Sequence, residues 1–254
     1  MNQRLDGEVC LVTGASRGIG AAIATSFAEQ GAQVVVHYGH NKEKAEEVAA
    51  NLAGHGHIVA GCNLANPDAV DGFVQDVIDQ TGRLDILVNN AGIFVDHPPL
   101  QVNADEWLFK WEQTLAVNLL SPAALCHAAA HVMQEQSGGR IINIGSRGAF
   151  RGEPNCPAYA ASKAGLHAMS QSLAVALAPS GILVYAVAPG FVATDMAQPL
   201  LDSDAGAGIK AQSPLGRVAM PEEIAEAVCF LASSDAEFMT GGIIDINGAS
   251  YLRT

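Results

Sequence analysis

Basic residues, aromatic residues and long apolar runs are all scarce in this 254-residue chain. Only 13 residues are Lys or Arg against 26 Asp or Glu, which gives a formal net charge of −13, and no basic cluster occurs. Nucleic-acid binding needs a basic patch that faces the phosphates. No uninterrupted apolar run reaches the roughly 18 residues that span a membrane, and residues 1–6 lack the apolar core of a secretion signal. We therefore expect neither a nucleic-acid nor a membrane partner.

Cysteines are few and dispersed. The chain has 5 of them and none forms a CxxC pair. An odd, scattered set is not typical of a disulfide framework or of a zinc site. The cysteines therefore predict a reducing, cytoplasmic location and no bound metal. They are Cys10, Cys62, Cys126, Cys156 and Cys229.

Short apolar runs alternate with stretches of 3.6-residue periodicity along the whole chain. This alternation predicts an α/β fold with a single doubly wound, Rossmann-type sheet of seven mainly parallel strands and helices on both faces. Because no break in composition occurs, we expect residues 1–254 to form one domain, with residues 191–220 as a loop-rich substrate lid. The predicted strands lie near 8–13, 33–38, 57–61, 84–88, 140–144, 182–187 and 242–246.

A glycine-rich turn stands between the first predicted strand and the first helix. Glycines permit a tight turn and let the backbone approach a pyrophosphate, while the helix N-terminus offers free N–H groups. Such a motif can also be an ordinary structural turn, but its position at the first strand–helix junction favours dinucleotide binding. The expected contacts are Gly14, Ser16, Arg17, Gly18, Ile19 and Gly20.

Tyr159 and Lys163 are four residues apart in a stretch, 157–178, with the pattern of a long helix, so their side chains share one face. A nearby ammonium group favours the phenolate and should lower the tyrosine pKa from about 10. Tyr159 could then protonate a carbonyl oxygen or deprotonate an alcohol. Ser146, just after a predicted strand, could hold the reacting oxygen. The alternative is a chance pair of ordinary helix residues.

The order and spacing of these motifs resemble the short-chain dehydrogenase/reductase family over essentially the whole chain. Within it, the sequence looks closest to bacterial 3-oxoacyl-carrier-protein reductases and to related sugar or ketone reductases. The resemblance implies an oxidoreductase that transfers a hydride between NAD(P)(H) and a carbonyl or secondary alcohol, and it implies a homotetramer. The motifs that carry it are residues 13–20, Asn89-Asn90-Ala91-Gly92, Asn118, Ser146, Tyr159 with Lys163, and Pro189-Gly190.

The resemblance also implies roles for further residues. Lys163 would bond the nicotinamide ribose, and Asn118 would hold a water in a proton relay, with a helix-kink or packing role as the alternative. Asn63 stands where the family often has Asp beside the adenine, and Tyr185 replaces the common Asn of the sixth strand. The remaining implied cofactor contacts are Leu64, Asn90, Ala91, Gly92, Pro189, Gly190, Val192 and Thr194.

The end of the second strand indicates which dinucleotide is used. NAD-preferring relatives carry an acidic side chain near the position of Tyr38, where it binds the ribose 2′-OH, and none occurs here. Arg17 and His40 could instead bind a 2′-phosphate, so NADP(H) is favoured over NAD(H). A solvated loop charge is the alternative for Arg17. Arg147 and Arg151 could hold an anionic substrate, with exposed loop charges as the alternative.

Two substrate classes and one non-enzymatic function remain open. Reductases of this family dock acidic carrier proteins through basic residues, but stretches 131–136 and 173–177 contain no Lys or Arg. A small free carbonyl or alcohol is therefore favoured over a role as 3-oxoacyl-carrier-protein reductase in fatty-acid synthesis. A non-catalytic dinucleotide sensor or scaffold would tolerate loss of Tyr159 or Lys163. Both residues are present, together with Ser146, which favours an enzyme.

Overall fold

The computed structural model describes residues 4–253. Seven strands form one sheet in the order β3-β2-β1-β4-β5-β6-β7, and every neighbouring pair is parallel. The predicted α/β fold with a seven-stranded, doubly wound sheet is therefore confirmed. The strands are β1 Val9–Val12, β2 Gln33–Tyr38, β3 Ile58–Gly61, β4 Ile86–Asn89, β5 Gly139–Ile144, β6 Ile182–Pro189 and β7 Ile243–Ile246.

Helices cover both faces because successive side chains of a buried strand point to opposite sides. In β1, Cys10 and Val12 pack against helices α1, α2 and α10, whereas Val9 and Leu11 pack against α3, α5 and α7. The helices are α1 Gly18–Glu29, α2 Lys42–Asn51, α3 Val70–Thr81, α4 Ala104–Leu115, α5 Ser121–Glu135, α6 Gly148–Arg151, α7 Pro157–Leu177, α8 Gln198–Leu201, α9 Gly206–Lys210 and α10 Pro221–Ala232.

The strand order reverses between β1 and β4, which are neighbours in the sheet. From β1 the chain winds outward through β2 and β3, and from β4 it winds in the opposite direction. The loops that leave these two strands therefore diverge and open a crevice at the carboxyl ends. Ligands of doubly wound sheets bind at such a switch point. The topology thus places the glycine-rich turn after β1 and Asn90 after β4 on the two sides of one crevice.

Tyr185 of β6, one of the two departures from the family pattern, has a clear structural role. Its side chain is fully buried, and its hydroxyl donates a hydrogen bond to the carbonyl oxygen of Ala236 at 3.0 Å. Ala236 lies in the 3₁₀ turn Ser234–Met239, which precedes β7. The tyrosine therefore attaches the connection from α10 to β7 to strand β6, and the hydroxyl of its side chain is hydrogen-bonded.

The segment 191–220 folds into loops with the two short helices α8 and α9. A bridge joins its two ends, where Ala193 N donates to Ala219 O at 2.8 Å and Ala219 N donates to Phe191 O at 3.0 Å. Ser213 further binds the carbonyl oxygen of Gly248 at 2.6 Å. The segment is therefore a loop that leaves the sheet at the end of β6 and is held by hydrogen bonds at its base and at Ser213.

Helices α4 and α5 form one continuous helix. The segment that joins them, Ala116–Leu120, is itself helical and has π-helical geometry. The combined helix, Ala104–Glu135, has 32 residues and is long and apolar enough, by length and composition, to cross a membrane. This criterion concerns average composition, whereas the sequence-based expectation considered uninterrupted apolar runs, so the expectation of no membrane partner is not contradicted. The core helix of a globular protein meets the same criterion. Leu125 and Met133 of this helix are buried against the sheet.

Candidate active site

A cleft of about 710 Å³ lies where β1, β2, β4, β5 and β6 end. Of the predicted site residues within the described part of the chain, only Gly20 and Asn118 do not line it. Those that do are Gly14, Ser16, Arg17, Gly18, Ile19, His40, Asn63, Leu64, Asn90, Ala91, Gly92, Ser146, Tyr159, Lys163, Pro189, Gly190, Val192 and Thr194.

The glycine-rich turn has a backbone that only glycine adopts without strain. Gly14 and Gly18 have φ angles of +63° and +56°, in the left-handed region. A methyl group on Gly14 would also lie 3.0 Å from Ala91 Cα, so the turn packs directly against the loop after β4. Gly20 faces inward, where a side chain would overlap Gly14 O and Asn90 Nδ2. Gly20 therefore permits close helix–turn packing and does not contact the cleft.

Hydrogen bonds from β2 and from the loop after β4 hold this turn in place. One of the residues that make them, His37, was not predicted from the sequence. His37 Nδ1 accepts from Gly14 N at 3.0 Å, while its Nε2 lies 3.0 Å from Cys62 O. Burial lowers the pKa of His37 to about 4, so the ring is neutral and can accept through Nδ1. Asn90 Nδ2 donates to Thr13 O at 2.8 Å. The signal for His37 was a polar residue within an otherwise apolar strand.

Ser146, Tyr159 and Lys163 meet at one end of the cleft. Ser146 follows β5, and its Oγ accepts a hydrogen bond from Gly148 N at 2.9 Å. Tyr159 and Lys163 project from the same face of α7, and Lys163 Nζ lies 5.9 Å from the Tyr159 ring centroid. Lys163 is buried, with Nζ donating to Ile144 O at 2.7 Å. Phe94 packs edge-on against the tyrosine ring with centroids 4.8 Å apart, which fixes the ring orientation.

Burial changes the pKa values of the two ionisable groups in opposite directions. Burial raises the pKa of the Tyr159 phenol, and a hydrogen bond with Ser146 opposes this shift. Burial lowers the pKa of Lys163 to about 8. The sequence-based expectation of a lowered tyrosine pKa is therefore wrong for this structure, because burial of the phenol raises the pKa by more than the hydrogen bond with Ser146 lowers it. Tyr159 is a neutral phenol at pH 7, the form that can donate a proton.

Asn118 lies behind Tyr159 and Lys163, within the π-helical turn, and is fully buried. Its Oδ1 accepts from Ile93 N at 2.8 Å, and its Nδ2 donates to Ile93 O at 2.9 Å. Nδ2 also lies 3.2 Å from Ser162 Oγ. These bonds fasten the loop after β4 to α7. The geometry supports the packing role that the sequence left open for Asn118.

At the far end of the cleft, basic side chains surround the carboxyl end of β2. Arg17 and His40 are both exposed there, and Lys44 of α2 lines the same region. Lys44 Nζ lies 4.0 Å from Asp195 Oδ2, in the loop after β6. Lys44 was not predicted from the sequence, because a lysine in the first turn of an exposed helix carries no distinctive signal. Asn63 lines the wall after β3.

The fold and this cleft together define a Rossmann-type oxidoreductase. The family profile described as enoyl-(acyl carrier protein) reductase matches residues 14–249. The chain belongs to the short-chain dehydrogenase/reductase family, as predicted. It is an enzyme that acts on CH–OH groups or the corresponding ketones, not a non-catalytic sensor.

Individual relatives agree with this assignment. The chain is 40% identical over 248 residues to the 3-oxoacyl-[acyl-carrier-protein] reductase FabG of Vibrio cholerae, covering 98% of this chain and 99% of that protein. FabG of Escherichia coli is also 40% identical, covering 97% of this chain and 98% of that protein. Among solved structures, gox2181 has a TM-score of 0.91 and 34% identity, covering 98% and 97% of the two chains. A dehydrogenase/reductase from Sinorhizobium meliloti has a TM-score of 0.90 and 33% identity, covering 99% and 98%.

Proposed function

We propose that the protein reduces a small carbonyl compound, or oxidises the corresponding secondary alcohol, with NADP(H) as the hydride carrier. The observation that carries this proposal is the meeting of Ser146, Tyr159 and Lys163 in the cleft that begins at the glycine-rich turn. The turn fits a dinucleotide, because it lines the cleft at the N-terminus of α1, whose backbone N–H groups can bind phosphate. When bound, the nicotinamide supplies or accepts the hydride.

The remaining chemistry falls to side chains of this chain. Ser146 Oγ hydrogen-bonds the substrate oxygen and holds it against Tyr159. The Tyr159 hydroxyl donates its proton to that oxygen during reduction and removes it during oxidation. Lys163, protonated below a pKa of about 8, stabilises the phenolate that this transfer leaves behind. Asn118 acts as a positioning residue, since its bonds to Ile93 and Ser162 hold the surrounding loops.

The preference for NADP(H) over NAD(H) is supported by charge at the carboxyl end of β2. Arg17, His40 and Lys44 line this end, and no acidic residue follows Tyr38 before α2. The Arg17 side chain makes no hydrogen bond or ion pair with other residues between 4 and 253, so its donors remain available to a 2′-phosphate. A phosphate would accept stronger, charge-assisted hydrogen bonds from such basic side chains than a ribose hydroxyl would.

Wild-type kcat/KM should therefore be higher with NADPH than with NADH, and Arg17→Ala should remove most of the difference. One charge-assisted hydrogen bond is worth about 1.5–3 kcal/mol, or roughly ten- to a hundredfold. Steady-state rates with both cofactors at fixed ketone concentration measure it. Lys42→Ala is the matched control, because Lys42 is an exposed cation of α2 that pairs with Glu46 and does not line the cleft. Better use of NADH by the wild type would refute the preference.

The carrier-protein thioester is the second candidate substrate, favoured by the 40% identity to the FabG proteins. Against it stand the net charge of −13 and the absence of Lys and Arg from residues 131–136 and 173–177. Electrostatic attraction between this chain and an acidic carrier would be weak or unfavourable.

We expect acetoacetyl groups on a carrier protein and on a short thiol to give similar kcat/KM values. The comparison is made at low and at moderate salt, since attraction between oppositely charged surfaces weakens as salt is added. A large advantage for the carrier-bound form that decreases with salt would establish the fatty-acid role instead.

The oligomeric state and location belong to the same proposal. Large apolar side chains are exposed on the combined α4–α5 helix at Phe109 and Leu120, and near the C-terminus at Phe238 and Leu252. Exposed apolar surface of this extent is typical of subunit contacts and supports a homotetramer.

The segment 191–220 would act as the substrate lid, because Met196 and Leu200 reach the cleft. Five free cysteines are consistent with the cytoplasm.

A further inference from the structure

Glu153, between α6 and α7, is a carboxylate in the cleft that the reaction described above does not use. Its side chain is only 18% exposed, and it lines the cleft together with Ser146 and Tyr159. A methyl group placed on Gly148 would lie 2.8 Å from Glu153 Oε1 and 3.2 Å from Ser146 Oγ. The carboxylate and the serine hydroxyl therefore border the same small space.

No side chain or backbone N–H within residues 4–253 donates a hydrogen bond to this carboxylate. Arg151 Nε is its one ion-pair partner, at 3.8 Å, too far for a hydrogen bond. One nitrogen of each nearby arginine is engaged elsewhere, since Arg147 Nη2 and Arg151 Nη1 both donate to Gln212 Oε1 of the lid segment. Polar groups withdrawn from water are normally hydrogen-bonded. The arrangement therefore leaves room for a donor that comes from the substrate.

The charges around Glu153 indicate which donor fits. Arg147 is almost fully buried, with its guanidinium 5.1 Å from the Phe191 ring centroid, and Arg151 Nε lies 3.8 Å from the carboxylate. Lys163 adds a third positive charge to the same end of the cleft. A cationic amine would be repelled by these three groups. A neutral hydroxyl meets no such penalty and can donate to the carboxylate.

The remaining walls of this end of the cleft are apolar and suit a short carbon skeleton. Phe94, Met196 and Leu200 contribute side chains to it. A long acyl chain would also contact such walls, but its methylene groups next to the carbonyl would displace water from Glu153 without replacing the hydrogen bonds. Removing solvent from a carboxylate that receives no hydrogen bond from residues 4–253 is costly. Glu153 therefore discriminates against an unsubstituted acyl chain.

We propose that Glu153 accepts a hydrogen bond from a hydroxyl group on the carbon next to the reacting carbonyl, so that the substrates are α-hydroxyketones and the corresponding vicinal diols. This inference rests on the proposed function, because it places the reacting oxygen at Ser146 and Tyr159. With that oxygen on Ser146, the neighbouring hydroxyl reaches the space that Glu153 borders. Glu153 is thereby a specificity-determining residue and not an acid or base in the reaction.

The test uses two ketones that differ only in one group, 1-hydroxybutan-2-one and pentan-3-one, in which a methyl replaces the hydroxyl. The ratio of their kcat/KM values is measured with NADPH for the wild type, Glu153→Leu and Glu153→Gln. We expect Glu153→Leu to lower the ratio by about ten- to a hundredfold. Glu153→Gln should keep part of it, since an amide oxygen still accepts. Glu226→Gln, on the exposed face of α10, is the control and should leave the ratio unchanged.

A binding measurement separates this inference from the proposed function. Dissociation constants of both ketones are determined by NMR titration in the presence of NADPH, with Tyr159→Phe and with Tyr159→Phe/Glu153→Leu, in which turnover is blocked. Tighter binding of the hydroxyketone that depends on Glu153 supports the inference. If the wild type reduces neither ketone, the proposed function fails, and the dissociation constants still decide the role of Glu153. A ratio that is the same in wild type and Glu153→Leu, by rate and by affinity, would overturn it.

Discussion

Tyr159→Phe should reduce kcat for ketone reduction by about 10²–10⁴-fold, the usual contribution of a general acid. The variant loses the proton that the substrate oxygen must receive. It keeps the aromatic ring, which packs edge-on against Phe94 at 4.8 Å, so the cleft should retain its shape. We therefore expect the dissociation constant for NADPH, measured by fluorescence titration, to stay close to that of the wild type.

Tyr251→Phe provides a matched control for this experiment. Tyr251 is partly buried against Phe150 and does not line the main cleft, so removal of its hydroxyl should leave kcat unchanged. A Tyr159→Phe variant with near-wild-type kcat would show that another group donates the proton. It would remove the basis for assigning Ser146 and Lys163 to the same reaction.

Lys163→Met should lower kcat/KM for ketone reduction by about 10²-fold or more and should also change its pH dependence. In the wild type, burial lowers the pKa of Lys163 to about 8, so its positive charge is present below that pH and disappears as pH rises through it. Because this charge stabilises the phenolate of Tyr159, wild-type kcat/KM should decrease as pH rises through about 8. The variant has no such charge, and its profile should lack that decrease.

The pH profile distinguishes loss of charge from a general loss of structure. Circular dichroism tests whether the variant is folded. Lys210→Met, at an exposed residue of α9, is the control and should keep both the rate and the pH dependence. If Lys163→Met still shows the decrease near pH 8, a different group titrates there. Lys163 would then act only through its hydrogen bond to Ile144 O.

Much of the cleft could be predicted from residues that are close in sequence. The glycine spacing of residues 13–20 specifies a turn that other side chains would strain or block, as the φ angles of Gly14 and Gly18 confirm. Tyr159 and Lys163 share a helical face because of their spacing alone. Short apolar runs similarly located all seven strands, since buried parallel strands are nearly continuous apolar segments.

Features that depend on distant contacts could not be predicted in this way. The role of His37 depends on Gly14 N and Cys62 O, which come from two other loops. The surroundings of Glu153 depend on Gln212, which lies about 60 positions along the chain and accepts a hydrogen bond from each of the two arginines. The raised pKa of Tyr159 follows from the walls that bury it, and sequence spacing gives no measure of that burial.

The sequence by itself therefore determined the α/β fold, the glycine-rich turn and the pairing of Tyr159 with Lys163, because each rests on local backbone geometry or on strand and helix periodicity. Only the tertiary structure decided the protonation state of Tyr159, the attachment of Tyr185 to Ala236 and the position of the Glu153 carboxylate near Arg151 without a hydrogen-bond donor from residues 4–253. Desolvation and hydrogen-bond partners come from whichever elements the folded chain brings together. Both depend on packing between elements that are distant from one another in the sequence.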